Sequence, residues 1–256
     1  MRRVLDVFFP PRCVGCGHGS WPFCRDCWSN MALLDPPGCV RCGRPLEVAV
    51  ERCVDCPPVA VTWARSPFLY EGPVRRALMR MKFAGLRSTA DAFAPWCVWA
   101  LARSPPDRPP PAVTGTPVVL TWVPLARGRR RTRGYDQAEA LARAIGRITR
   151  WPVRRLLERT VETAAQARRP GRERRRALRG AFGIVATPPE LVVLVDDVLT
   201  SGATAASCAE ALRAGGARRV GLVCAARALG GPVPARCYNP RGFQPGSVVA
   251  RGTFSR

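Results

Sequence analysis

Two groups of residues in this sequence have types and spacings suited to chemistry. The first is the run at 192–204, VVLVDDVLTSGAT. Val192, Val193, Leu194 and Val195 lead into Asp196 and Asp197, and then into the small polar loop Thr200, Ser201, Gly202, Ala203 and Thr204. A continuous apolar run without alternation suits a parallel strand covered on both faces, and the Ala-rich residues 204–214 that follow read as a helix. Beyond the carboxyl end of such a strand, loop amides and a helix N-terminus can hold a phosphate. Ser201 and Thr204 add hydroxyl donors, and Gly202 lets the backbone approach closely. Carboxylates accept hydrogen bonds, so an acidic pair ahead of this cradle implies a ligand with neighbouring hydroxyls near its phosphate, the layout of a ribose 5-phosphate. The blander reading is an acidic pair that caps a helix.

The second group is cysteine. Eight of the twelve lie between residues 13 and 56 as four CxxC pairs: Cys13/Cys16, Cys24/Cys27, Cys39/Cys42 and Cys53/Cys56. A two-residue gap turns both thiolates of a pair toward one ion, and two pairs close a tetrahedral site around zinc. The sequence therefore offers about two Zn2+ ions. The tandem pairing is favoured, Cys13, Cys16, Cys24 and Cys27 on one ion and Cys39, Cys42, Cys53 and Cys56 on the other; an interleaved pairing also satisfies the spacing. Four ligands leave no open position, so the metal is structural. His18 is surplus to a complete thiolate set and reads as a surface residue.

The remaining chain must position these groups. Residues 61–72, VTWARSPFLYEG, read as a strand. Residues 73–85 read as an amphipathic helix with Pro73 at its first position, and residues 86–103 as a second helix. The basic face of the first, with Arg75, Arg76, Arg80 and Lys82, is either solvated or steers an anion. Residues 118–123 read as a strand and 124–133 as a basic loop in which Arg127, Arg129, Arg130, Arg131 and Arg133 can clamp a pyrophosphate. Residues 135–147 read as a helix opened by Asp136 and Gln137. Strands are expected near Leu156 and Ala181, around an arginine-rich, Gly/Pro-broken stretch that reads as a flexible loop. The sequence at 217–228 gives a last parallel strand. Cys97, Cys208, Cys224 and Cys237 lack metal spacing.

The run at 192–204 resembles the phosphoribosyl pyrophosphate (PRPP) motif of type I phosphoribosyltransferases at every position. VPL at 123–125, the arginine loop, RGYDQAE at 133–139 and the later VDDVLTSGAT, all behind a cysteine-rich head, resemble the ComF family of competence proteins, also described as amidophosphoribosyltransferase-like. The resemblance spans residues 13–227. It implies an α/β fold, a type I phosphoribosyltransferase-like parallel sheet flanked by helices with a small N-terminal zinc module. Pro57 and Pro58 mark a boundary, which with the resemblance gives a zinc-ribbon-like module at 1–58 and a phosphoribosyltransferase domain at 59–229; the Gly/Pro/Arg-rich, unperiodic residues 230–256 read as a disordered basic tail. Asp196 and Asp197 would hold the ribose hydroxyls and Thr200, Ser201, Gly202, Ala203 and Thr204 the 5-phosphate. Mg2+ would bridge pyrophosphate and ribose, and Arg127 or Arg133 would take the leaving pyrophosphate. Arg159, Thr163, Gln166 and Arg174 match the family's mobile flap, while Ala177 stands where an asparagine is expected. The implied activity is transfer of phosphoribosyl to a nitrogen acceptor with release of pyrophosphate. The alternative is a catalytically silent accessory protein that binds single-stranded DNA and contacts a DNA-uptake machinery.

Composition narrows the class. The formal net charge is +23, and Lys82 is the only lysine among 41 basic residues. Such a balance favours anions, nucleic acid included, but an arginine-rich coding bias gives the same composition. No apolar run of about 18 residues occurs, so no transmembrane helix is expected. Asp6 interrupts the short apolar start and no small-residue cleavage site follows, so a cytoplasmic protein is expected. Neither GxxxxGK[ST] nor GxGxxG is present, which removes the Walker and dinucleotide loops.

Overall fold

The computed structural model describes residues 12–103, 118–160, 180–231, 233, 234 and 237. At its centre is a parallel sheet of β1 (Trp63–Arg65), β2 (Phe68–Leu69), β3 (Val118–Trp122), β6 (Leu191–Leu199) and β7 (Arg219–Arg227). The order is β1-β7-β6-β3, with β2 following β1 along the same side of β7. The expectation of a parallel α/β sheet flanked by helices is borne out. Both faces of β6 are covered, which explains its lack of alternation. Val193 and Val195 pack with Leu120, Trp122 and Val223 on one face. Val192 and Leu194 pack with Val119, Leu222 and Cys224 on the other.

The first face is covered by α2 (Gly72–Phe83), α3 (Ser88–Ala102) and α5 (Gln137–Thr149). The second carries α6 (Ala203–Ala214) and the antiparallel pair β4 (Leu157–Arg159) and β5 (Phe182–Ile184). The cysteine module straddles the sheet edge. Cys13, Cys27, Phe23 and Met31 join the first core, with the short helix α1 (Arg25–Ser29) between them, whereas Cys39 and Cys42 join the second. The edge is closed by backbone pairing: Ala64 N–H donates to the Arg41 carbonyl, Leu69 to Ala32, and Leu34 to Pro67. An open parallel edge would expose unpaired peptide groups, and the ribbon satisfies them.

Three expectations change. The stretch at 61–72 is two short strands, because Pro67 lacks an N–H to continue the ladder. The acidic pair lies inside β6, which runs four residues past Val195 to Leu199. The basic loop at 124–133 contains a helix, α4 (Arg127–Arg133), closed by Gly134 in the left-handed region at φ 71°. Arginine is a good helix former and Gly134 supplies the stop. Thr163, Gln166, Arg174 and Ala177 lie outside the described residues, as does most of the tail. Among the described residues no helix is long and apolar enough to cross a membrane.

Gly221 admits the Trp63 ring onto the sheet: Trp63 is its register partner, and a Cβ there would meet that ring at 2.1 Å. Gly221→Val should therefore destabilise the protein by about 1–3 kcal/mol or more, read as a lower urea midpoint with unchanged slope.

Candidate functional site

A cleft of about 340 Å3 opens beyond the carboxyl ends of β3 and β6. Its lining includes Asp196, Asp197, Thr200, Thr204, Arg129, Arg133 and Arg159 from the expected set, and Tyr70, Lys82, Asp136 and Gln137 besides. Asp196 is half-buried and lines this cleft. Burial, with the Asp197 charge adding to it, pushes its pKa up to about 8, against the Asp197 N–H that donates to it at 2.8 Å. Asp197 meets the ammonium of Lys82, 2.6 Å from its Oδ2.

The loop after β6 turns at Gly202, which holds φ 72° and has no side chain to cap α6. Ser201 Oγ accepts from Ala203 N–H at 3.4 Å. Thr200, Ser201, Gly202, Ala203 and Thr204 wrap a pit of about 30 Å3 beside Asp196. The geometry suits the close approach of a small anion to a helix N-terminus.

Asp136 is the N-cap of α5, as the sequence indicates. It accepts from Ala138 and Glu139 N–H, and from Leu125 N–H at 2.9 Å, which ties the loop after β3 to the helix. Burial raises its pKa and those backbone bonds oppose the rise. Gln137 is buried; its Oε1 accepts from Arg133 at 3.1 Å, while its Nε2 donor is buried without a partner among the described residues. A spare buried donor beside the cleft is a group that a bound acceptor would satisfy. Arg127 opens α4, the helix that carries Arg129 and Arg133.

The basic face of α2 divides: Arg75 and Arg76 are exposed, Lys82 lines the cleft, and two of its arginines also reach the cysteine ribbon. Arg80 donates to the carbonyls of Cys13 and Val14, and Arg76 to that of Gly15, so this face holds the first cysteine turn. The second turn is held from the sheet. Buried Arg227 donates to the Cys42 carbonyl at 2.8 Å and the Asp55 carbonyl at 3.0 Å, and Arg41 donates to Pro57, Pro58 and Val61.

Each cysteine turn brings four thiols together in tandem, Cys13, Cys16, Cys24 and Cys27, then Cys39, Cys42, Cys53 and Cys56, with all sulfurs of a set within 4.8 Å. Tetrahedral zinc with bonds of about 2.3 Å requires sulfurs about 3.8 Å apart. Cys16 and Cys24 lie at 3.7 Å, Cys39 and Cys56 at 3.5 Å, and Cys42 and Cys53 at 3.5 Å, so both sets fit the ion. Backbone N–H groups of His18 and Cys53 point at Cys16 and Cys39 sulfurs, the outer support such sites use. His18 itself is exposed and outside the set. The Cys42 thiol donates toward Cys39 and is the main reason that Cys39 falls to about 4; sharing that proton raises Cys42.

Fold and site together define a class: a double zinc ribbon clamped on a parallel α/β sheet whose strand-end cleft carries an acidic pair. Comparison with known proteins agrees with it. A family model described as a double zinc ribbon domain matches residues 4–57. The chain is 29% identical over 226 residues to DNA utilization protein YhgH of Escherichia coli O6:H1, covering 82% of this chain and 92% of that one. It is 27% identical over 237 residues to competence protein F of Haemophilus influenzae, covering 86% and 99%, and 27% identical over 191 residues to competence protein ComFC of Bacillus subtilis, covering 71% and 73%. The resemblance read from the motifs is borne out. Lys82 and Gln137 were legible as residue types, but only packing reveals that they meet the acidic pair's cleft.

Purified protein should carry about two zinc ions per chain. Because the turns belong to the same cores as the helices, stripping zinc should lower the midpoint of a single unfolding transition followed by circular dichroism. Full removal of zinc with the transition unmoved would show that the turns do not brace the sheet.

Proposed function

We propose that the cleft binds PRPP with Mg2+ and transfers its phosphoribosyl group to a nitrogen acceptor. The observation that carries this reading is the convergence of an acidic pair, a glycine-turned hydroxyl loop and the arginines of α4 on one cleft at the strand ends. In it Asp196 and Asp197 accept hydrogen bonds from the ribose hydroxyls, and residues 200–204 hold the 5-phosphate. Arg129, Arg133 and the spare amide of Gln137 face the pyrophosphate. Mg2+ prefers a site completed by phosphate oxygens to an all-protein cage, and the donor set here fits that habit. When bound, it neutralises charge on the pyrophosphate. The C1–O bond breaks with its electron pair leaving on pyrophosphate, and the acceptor nitrogen forms the new bond and gives up a proton. The chain's own contribution is positioning and charge stabilisation.

A second reading rests on the relatives' names, competence protein and DNA utilization protein, and on the exposed Arg129, Arg130 and Arg131 of α4: an accessory protein that binds single-stranded DNA without turnover. Incubation with PRPP, Mg2+ and candidate acceptors separates the two by pyrophosphate release.

The variant Asp196→Asn/Asp197→Asn should weaken PRPP by about a hundredfold or more in calorimetry, since each charged acceptor contributes about 1.5–3 kcal/mol. Equal binding by variant and wild type would remove the reading.

A pH dependence follows with a definite sign. Below about pH 8 Asp196 holds a proton, and a charge-assisted bond from the diol requires its loss. PRPP affinity should rise as pH increases from 6.5 to 8.5, and at pH 7 binding should release a proton. Titration in two buffers of different ionisation enthalpy measures that release. Proton uptake, or affinity falling with pH, would contradict the assignment of Asp196 as acceptor.

A further inference from the structure

The one lysine of the chain stands inside the cleft. Its Nζ lies 2.6 Å from Asp197 Oδ2, and both side chains are largely buried, 21% and 15% exposed. The residues on either side of it are contacted from α4 and the turn that follows it. Tyr135 donates its hydroxyl to the Met81 carbonyl, and the Arg133 guanidinium lies over the Phe83 ring at 5.2 Å. Further back, Arg76 and Arg80 bolt the same helix to the first cysteine turn. A long flexible side chain thus extends from a helix with contacts on both sides of it, and its charge is delivered to one carboxylate oxygen.

We propose that Lys82 is the internal counter-cation of the acidic pair: it keeps Asp197 closed to free divalent metal and crosses to a phosphate oxygen when a pyrophosphorylated sugar arrives. The identity of that ligand rests on the function proposed above; the closure to metal does not. Paired one to one with Lys82, Asp197 offers a dication no unbalanced charge. An incoming pyrophosphate offers the ammonium several oxygens in place of one, and releases Asp197 to accept from the ribose hydroxyls. A compact ammonium with three rotatable donors can change partners in this way. A guanidinium fork would fix both carboxylate oxygens in one plane. That distinction accounts for a lysine at this position in a chain whose other basic residues are arginine.

The test uses zinc-loaded full-length protein as wild type, Lys82→Met and Lys82→Arg. Mn2+ is titrated without PRPP and followed by electron paramagnetic resonance; PRPP with Mg2+ is then titrated by calorimetry. Wild type should take up Mn2+ weakly at this site. Lys82→Met should tighten Mn2+ at least tenfold, a gain that the added change Asp197→Asn abolishes, and should weaken PRPP at least tenfold. Lys82→Arg should leave Mn2+ excluded yet fail to restore PRPP affinity. Should Lys82→Met lose zinc or its circular dichroism signal, Lys82→Gln takes its place. Unchanged Mn2+ affinity on removing the ammonium overturns the proposal, as does full PRPP affinity in Lys82→Arg. If wild type binds no PRPP, the functional reading falls, and the Mn2+ comparison still decides whether Lys82 closes the site.

Discussion

A strand buried on both faces has no lateral place for a polar side chain, and β6 is such a strand. From Leu191 to Val195 every residue is covered, so the first carboxylates it can carry are those at its open end, Asp196 and Asp197. The same constraint fixes what surrounds it. Two apolar faces need two layers, helices on one and a helix with a short strand pair on the other, and an edge with unpaired peptide groups needs a partner. The cysteine module provides that partner while adding a turn to each layer.

The two turns do not act on the site alike. The first is tied by Arg76 and Arg80 to α2, the helix that delivers Lys82. The second lies against the loop at 200–204: a Cβ on Gly202 would meet Pro57, the residue after the last zinc ligand, at 2.9 Å. Arg227 joins that turn to β7 from within the sheet. Peptide carbonyls left unpaired in tight metal turns are costly to bury, and here arginines satisfy them. Part of the large positive charge is therefore spent on internal architecture, which neither the anion-steering nor the coding-bias view of the composition anticipates.

Local chemistry made much of this legible in the chain. The apolar run of β6, the N-cap at Asp136 and the tandem grouping of cysteines all depend on residues close in sequence, and all stand as read. The failures are tertiary or concern weak local signals. The helix α4 hides in an arginine run that looks like a loop until Gly134 is recognised as its stop. The break at Pro67 needed the knowledge that β1 and β2 share one neighbour. That Arg76 and Arg80 also serve the ribbon was hidden, because the carbonyls they reach lie more than sixty positions earlier. Lys82 could be picked out by rarity, but its partner Asp197 is brought near only by the stacking of α2 on the sheet.

The central position of β7 bears on how the chain assembles. Each cysteine quartet closes within a short span, so metal can order both turns as soon as that segment has been made. The sheet-side anchor of the second, Arg227, is 185 residues further on from Cys42. Until β7 is made, β1 and β6 lack the strand that lies between them, and the nascent chain holds a finished edge with no middle. Contacts of such long sequence separation are slow to form and leave apolar surface exposed in the interval. Metallated early, the ribbon becomes a template that waits for the last strand, and the strand-end cleft is completed only when that late insertion is made.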